Sequence, residues 1–165
     1  MKGPFWSDID TTKIGDIYFR EMTSESSSPN EFDDLYSIDM DINSYAKLND
    51  SIFRSTWAMV VTWSEVTYHT RSYLKSIPKN TFQLILAQNR DQKNSSLSFG
   101  IFNYIKMEWP QFSNKNVRQQ HPFLAGYNSF TSMFNQKYEV IERSKISNLL
   151  TRSNVNKPGK WIFKF

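Results

Sequence analysis

The 165-residue chain has no cysteine, so it can form no disulfide, present no thiolate nucleophile and build no thiolate metal site. It has only two histidines, His69 and His121, and neither has a carboxylate partner nearby in sequence. Both read as ordinary loop or strand-end residues, because zinc would need more nitrogen or acid ligands in register. Five glycines supply no phosphate-cradling loop, and no serine sits in a nucleophile elbow. No apolar run approaches the roughly 20 residues that cross a bilayer, and the start MKGPFWSDID lacks the apolar centre of a signal peptide. The expectation is a soluble chain without direct membrane insertion. Taken alone, the missing cysteine leans towards a reducing compartment.

What is present is aromatic and unevenly charged. Phe, Tyr and Trp make up 16% of the residues, large flat side chains that suit a pleated, half-buried surface. The net charge is +4, but residues 1–41 hold ten of the 16 acidic residues and three of the 20 basic ones. Residues 42–165 therefore carry 17 − 6 = +11, enough to attract nucleic acid, an acidic glycan or an anionic surface. The simpler reading is that the acidic segment folds back onto the basic remainder.

The hydrophobic pattern alternates along most of the chain. IGDIYFREM (14–22) reads as a strand, and TSESSSPNE after it as a polar turn marked by Pro29. Ile38, Ile42, Tyr45, Leu48 and Ile52 recur at helical spacing, which predicts one helix over roughly 39–53 with Ser37 or Asp39 as its cap. TWAMVVTWSEVTYH (56–69) is apolar on both faces, and its parity shifts beyond Ser64, which predicts a central strand with a bulge near Ser64 and Glu65. NTFQLILAQN (80–89) and LSFGIFNYIKMEW (97–109) form a hairpin, the second placing Leu97, Phe99, Ile101, Ile105 and Met107 on one face. One or two strands around Gly126, a helical turn near Leu149 and a closing strand with Trp161, Phe163 and Phe165 inward complete the chain. The fold expected is mainly β: a single domain over 1–165, an antiparallel β-sandwich with one main α-helix packed against it. Trp57, Trp63, Phe82, Phe99, Ile101 and Trp161 are expected to share one core.

Few residues invite chemistry. Asp8 and Asp10, two apart, would hold their carboxyls roughly 6 to 7 Å apart on a strand, a spacing that suits an inverting glycosidase or, with some flexing, a calcium ion. Counting from Asp8, Lys13 stands where a helix–loop–helix calcium site needs glycine. A turn in which these carboxylates accept backbone or threonine hydrogen bonds is the preferred reading, so no cofactor or metal is expected, calcium at Asp8 and Asp10 being the alternative. Lysines alternate with aromatics in GKWIFKF, as on a nucleic-acid stacking surface, yet the alternation is that of a strand with one buried and one wet face. No nucleic-acid partner is expected. Lys157, Lys160 and Lys164 remain the candidate contacts for an acidic glycan, and Asn49 and Asn94 open glycosylation sequons.

The blocks FWSDIDT, GDIYFRE, TWAMVVTWSEVTYH, NTFQLILAQN, FGIFNY, AGYN and SNVNKPGKWIFKF, read in order, resemble the nidogen-type extracellular domain of matrix proteins. Ile105 stands where that pattern commonly has glycine, Lys160 where it has arginine, and PQFSNKNVRQQ where it is often glycine-rich. The resemblance implies an extracellular, non-catalytic module of cell–matrix adhesion or matrix assembly, secreted or carried on a membrane-anchored protein, and so overrides the reducing lean. It implies a matrix or cell-surface protein, or a second copy of the chain, as partner. A glycan-binding domain with a basic surface is the alternative. The resemblance brings no catalytic motif with it, and no enzyme activity is expected.

Overall fold

The structure, a computed structural model, describes residues 2–46, 52–68, 77–90, 96–109, 124–132, 135–142 and 146–165. In chain order these form β1 (Lys2–Trp6), β2 (Ile9–Asp10), β3 (Asp16–Thr23), α1 (Pro29–Ala46), β4 (Trp57–Tyr68), β5 (Asn80–Arg90), β6 (Ser96–Met107), β7 (Leu124–Ser132), β8 (Asn135–Glu142), α2 (Asn148–Thr151) and β9 (Lys160–Lys164). Two antiparallel sheets result. The smaller runs β1-β7-β8. In the larger, β4, β5, β6 and β9 follow one another, and β2 and β3 lie end to end along the free side of β4. The mainly β sandwich with one main helix is thus the observed architecture.

The register shows why both faces of the large sheet are apolar. Phe19, Val61, Leu84, Phe102 and Trp161 form one rung, and Arg20, Val60, Ile85, Ile101 and Ile162 form the next. Directly opposed residues share a face and successive rungs alternate, so the first set points to the small sheet and the second to α1. The first face packs Phe82, Leu84, Phe102, Tyr104 and Phe163 with Phe5, Tyr68, Trp109 and Leu149. Phe82 stacks on Trp63 at 5.0 Å, and the Tyr104 hydroxyl donates to the Pro4 carbonyl at 2.6 Å, tying the two sheets together. The second face packs Met22, Ala58, Phe99, Ile101 and Ile162 against Leu35, Ile38 and Ile42 of α1 and Phe53 beyond it.

Four expectations change. The six residues placed in one core are split by the sheet: Trp63, Phe82 and Trp161 lie on one face, and Phe99 and Ile101 on the other. Trp57 belongs to neither cluster, and its indole N–H donates to Glu21 at 2.6 Å. The closing strand has no wet face at its centre, since Ile162 is buried under α1. A register shift in β6 flips the parity after Tyr104, so Ile105 is exposed and Met107 joins the small-sheet core instead of the face of Phe99. The helix, described over Pro29–Ala46, starts ten residues earlier than its apolar spacing predicts and does not include Ile52 or Phe53, and neither Ser37 nor Asp39 caps it. Pro29, read above as a loop marker, opens it. Proline suits the first helical turn because its missing N–H would have no partner there, and the Ser28 carbonyl accepts the Glu31 and Phe32 amides. The bulge in β4 stands as expected, with the shift between Trp63 and Val66 and a positive φ of 53° at Glu65.

Candidate interaction surface

The expected site residues are distributed, not gathered. Asp8 is exposed just after a bend at Ser7, whereas Asp10 is buried on β2, and its Oδ1 accepts the Thr12 amide at 2.9 Å and the Thr12 hydroxyl at 2.5 Å. This is the turn geometry anticipated for the motif. Among the described residues no three or more His, Cys, Asp or Glu side chains cluster as metal ligands. His69, His121, Asn49 and Asn94 lie outside the described residues.

Lys157 and Lys160 do come together, but around a carboxylate. Both ammonium groups reach Asp41 on α1, Lys157 at 2.8 Å. Burial would raise the Asp41 pKa, and the hydrogen bonds from the two lysines outweigh it and hold the carboxyl below its ordinary range. Seven residues earlier in the helix, Asp34 is reached by Arg20 of β3 at 2.5 Å. The helix therefore lies across the strands, from the β3 edge to the β9 edge, with an acid tethered at each. Of the two, the Asp41 contacts join the acidic segment to the basic remainder as the charge pattern suggested, whereas Arg20 and Asp34 both belong to the first 41 residues. Lys164, four residues further along β9, is exposed.

A second ionic group forms at the β4 bulge, where Glu65 accepts from Lys106 at 3.1 Å and Lys79 at 3.1 Å. The hydrogen bond from Lys106 and then that from Lys79 lower the Glu65 pKa. Beside it a polar ladder crosses the sheet: Asn103 donates to Gln83 at 3.0 Å, and Gln83 to Thr62 at 2.9 Å. An open depression of about 520 Å³ lies elsewhere, lined by Thr23, Ser24, Glu25, Thr56, Trp57 and Gln88. These groups are satisfied ion pairs and amides, with no nucleophile and base set against each other.

The largest unexplained feature is apolar. On α1, Phe32, Tyr36 and Met40 are 69, 58 and 55% exposed, at spacings of four on the side away from Leu35, Ile38 and Ile42. On β3, Ile17, Tyr18 and Phe19 are 49, 59 and 77% exposed. A helix facing a single core needs one apolar stripe, and a surface strand one apolar face; both elements carry a second. Sequence reasoning assigned these residues no site. The signal was there, in three consecutive apolar residues (IYF) within β3 and in a second series of period four in α1.

The nidogen-like domain pattern matches residues 1–165. The chain belongs to the nidogen-like domain family. Over 98% of its length it is 31% identical to alpha-tectorin of Mus musculus, 32% to that of Homo sapiens and 30% to that of Gallus gallus. It spans about 7% of the length of these relatives. No solved structure matches. In this nidogen-like domain the family blocks carry the framework: FWSDIDT supplies the Asp10 turn, and PGKW the turn into β9, where Gly159 has φ of 80°. Among the described residues no helix is long and apolar enough to cross a membrane.

Proposed function

We propose that this nidogen-like domain is an extracellular, non-catalytic module of matrix assembly or cell–matrix adhesion, secreted or part of a membrane-anchored ectodomain, that works through protein–protein contacts. Family membership over the whole chain and the alpha-tectorin relatives support the extracellular matrix setting. The observation that carries the contact reading is the exposed stripe Phe32–Tyr36–Met40, because aromatic and methionine side chains are the types concentrated at protein interfaces. The glycan alternative draws on the basic remainder, but Lys157 and Lys160 are engaged with Asp41.

The test is binding to a decellularised matrix surface. Binding should survive digestion of sulfated glycans, be lost after protease treatment of the matrix, and weaken at least about tenfold in Phe32→Asp/Tyr36→Asp, with the melting temperature nearly unchanged. Binding lost on glycan digestion, together with elution from heparin well above physiological salt that reversal of Lys157, Lys160 and Lys164 abolishes, would establish the glycan reading instead.

A further inference from the structure

The two edges of the large sheet are finished differently. Along β9, the Asn154 side-chain amide donates to the Ile162 carbonyl at 2.7 Å and accepts the Ile162 N–H at 2.9 Å, standing in for a neighbouring strand. Ser153 donates to the Lys160 carbonyl at 2.7 Å, and Lys160 and Lys164 place charge on the same strand. Capping groups and lysines of this kind keep an edge from pairing with another chain. From Asp16 to Glu21 the β3 edge has neither. It pairs with β4 over all eight residues without a bulge and contains no proline or lysine. Among the described residues its outward backbone groups meet a loop at its last residue, where the Thr23 carbonyl accepts the Ser26 amide at 3.1 Å, and the stretch from Asp16 to Glu21 has no such partner. It is also the strand that exposes Ile17, Tyr18 and Phe19.

We propose that the open edge of β3 is a self-association site at which a second copy of this chain adds its own β3 antiparallel, with Tyr18 on the two-fold axis, so that two large sheets continue as one. The proposal rests on the protein-contact reading above and names the partner. The register follows from symmetry and charge. An antiparallel pair about an axis perpendicular to the sheet keeps each face on its own side, so some residue must lie opposite its own copy. With Tyr18 there, Ile17 meets the second copy's Phe19 on one face, and Asp16 meets the second copy's Arg20 on the other, each pair occurring twice. Placing Phe19 on the axis would set Ile17 against Glu21 and Asp16 against Met22. Placing Arg20 there would oppose two guanidinium groups. Opposed apolar and opposite-charge pairs stabilise a ladder, and like charges destabilise it. The Arg20 contact with Asp34 does not block this pairing, because a guanidinium has five N–H donors.

The test exploits a chain without cysteine. Directly opposed residues in an antiparallel pair have Cα atoms about 4.5 to 5.5 Å apart, within the range a disulfide spans. Tyr18→Cys, oxidised at concentrations where the parent sediments as a dimer, should give a covalent dimer, and Thr23→Cys, ten residues out of register with its copy, should not. Asp16→Arg and Arg20→Asp should each weaken the dimer at least about tenfold, and an equimolar mixture of the two should restore it, because both cross pairs are then opposite in charge. Melting curves confirm that each variant is folded. A parent chain that stays monomeric at millimolar concentration overturns the proposal, as does equal cross-linking at positions 18 and 23 or a mixture that fails to re-associate. A monomer that still binds matrix through Phe32 and Tyr36 would remove this site and leave the proposed function standing, whereas a dimer that binds no matrix protein would do the reverse.

Discussion

At the scale of the residue, Asp10 and Gly15 hold the turn between β2 and β3. Asp10→Ala removes an acceptor from Thr12 at a buried site and should cost about 1 to 2 kcal/mol by chemical denaturation. Since the structure commits Oδ1 of Asp10 to Thr12, millimolar calcium is expected to leave the melting temperature unchanged. A clear rise that disappears in Asp10→Asn would instead reveal an ion there, because saturation at about a hundred times the dissociation constant adds roughly 2.7 kcal/mol. Gly15 has φ of 87°, and a Cβ on it would sit 2.5 Å from the Glu65 carbonyl oxygen, so the turn packs into the bulge of β4. Gly15→Ala should destabilise by about 2 kcal/mol or more, read from the same denaturation curves. The Asp10 turn and the bulge were both legible in sequence, one from a carboxylate two residues before a threonine, the other from a parity change within a strand. The lysines that neutralise Glu65 were not, since Lys106 lies 41 residues away and only the pairing of β4, β5 and β6 brings it near.

At the scale of the element, α1 is held by two of its acids, Asp34 and Asp41, as well as by its apolar stripe. The lowered pKa of Asp41 in the folded chain means that its contribution to stability is present above the unfolded carboxylate value and is lost as pH falls through the lower folded value. Asp41→Asn should therefore be less stable than the parent at neutral pH, by about 1 kcal/mol, and the gap should close below about pH 4. A constant gap in an acid titration followed by circular dichroism would show that Asp41 does not pair. Asp39 titrates in the opposite sense, because burial raises its pKa despite hydrogen bonds from Ser55, so only the parent–variant difference isolates Asp41. The buried stripe of the helix was readable from Ile38 and Ile42. Its start was not, because Pro29 after a run of serines looks like a loop until the helix behind it is known, and proline is tolerated in the first turn alone.

At the scale of the whole molecule, one sheet separates two cores. Phe82 is fully buried on the small-sheet face and Phe99 nearly so on the helix face. Each Phe→Ala change should cost about 3 to 5 kcal/mol. The two sites share no core, so the double variant should lose close to the sum of the two, within about 0.5 kcal/mol in a denaturant cycle. Strong coupling between them would contradict the two-core arrangement.

The amino-acid pattern alone determined the β character, the main strands, the bulge and the family blocks, because each is written in the alternation or spacing of residues close in sequence. It also showed that β4 is apolar on both sides. What only the tertiary structure decided is which rung faces which layer, and hence that Phe82 and Phe99 lie in different cores, for a face is defined by pairing across strands. It decided, too, that Lys157 and Lys160 cross 116 and 119 residues to reach Asp41. Above all it decided which apolar residues stay outside: Phe19 and Phe82 are chemically the same side chain, and only the order of strands, with one at the edge and the other in the middle, leaves the first in water and buries the second.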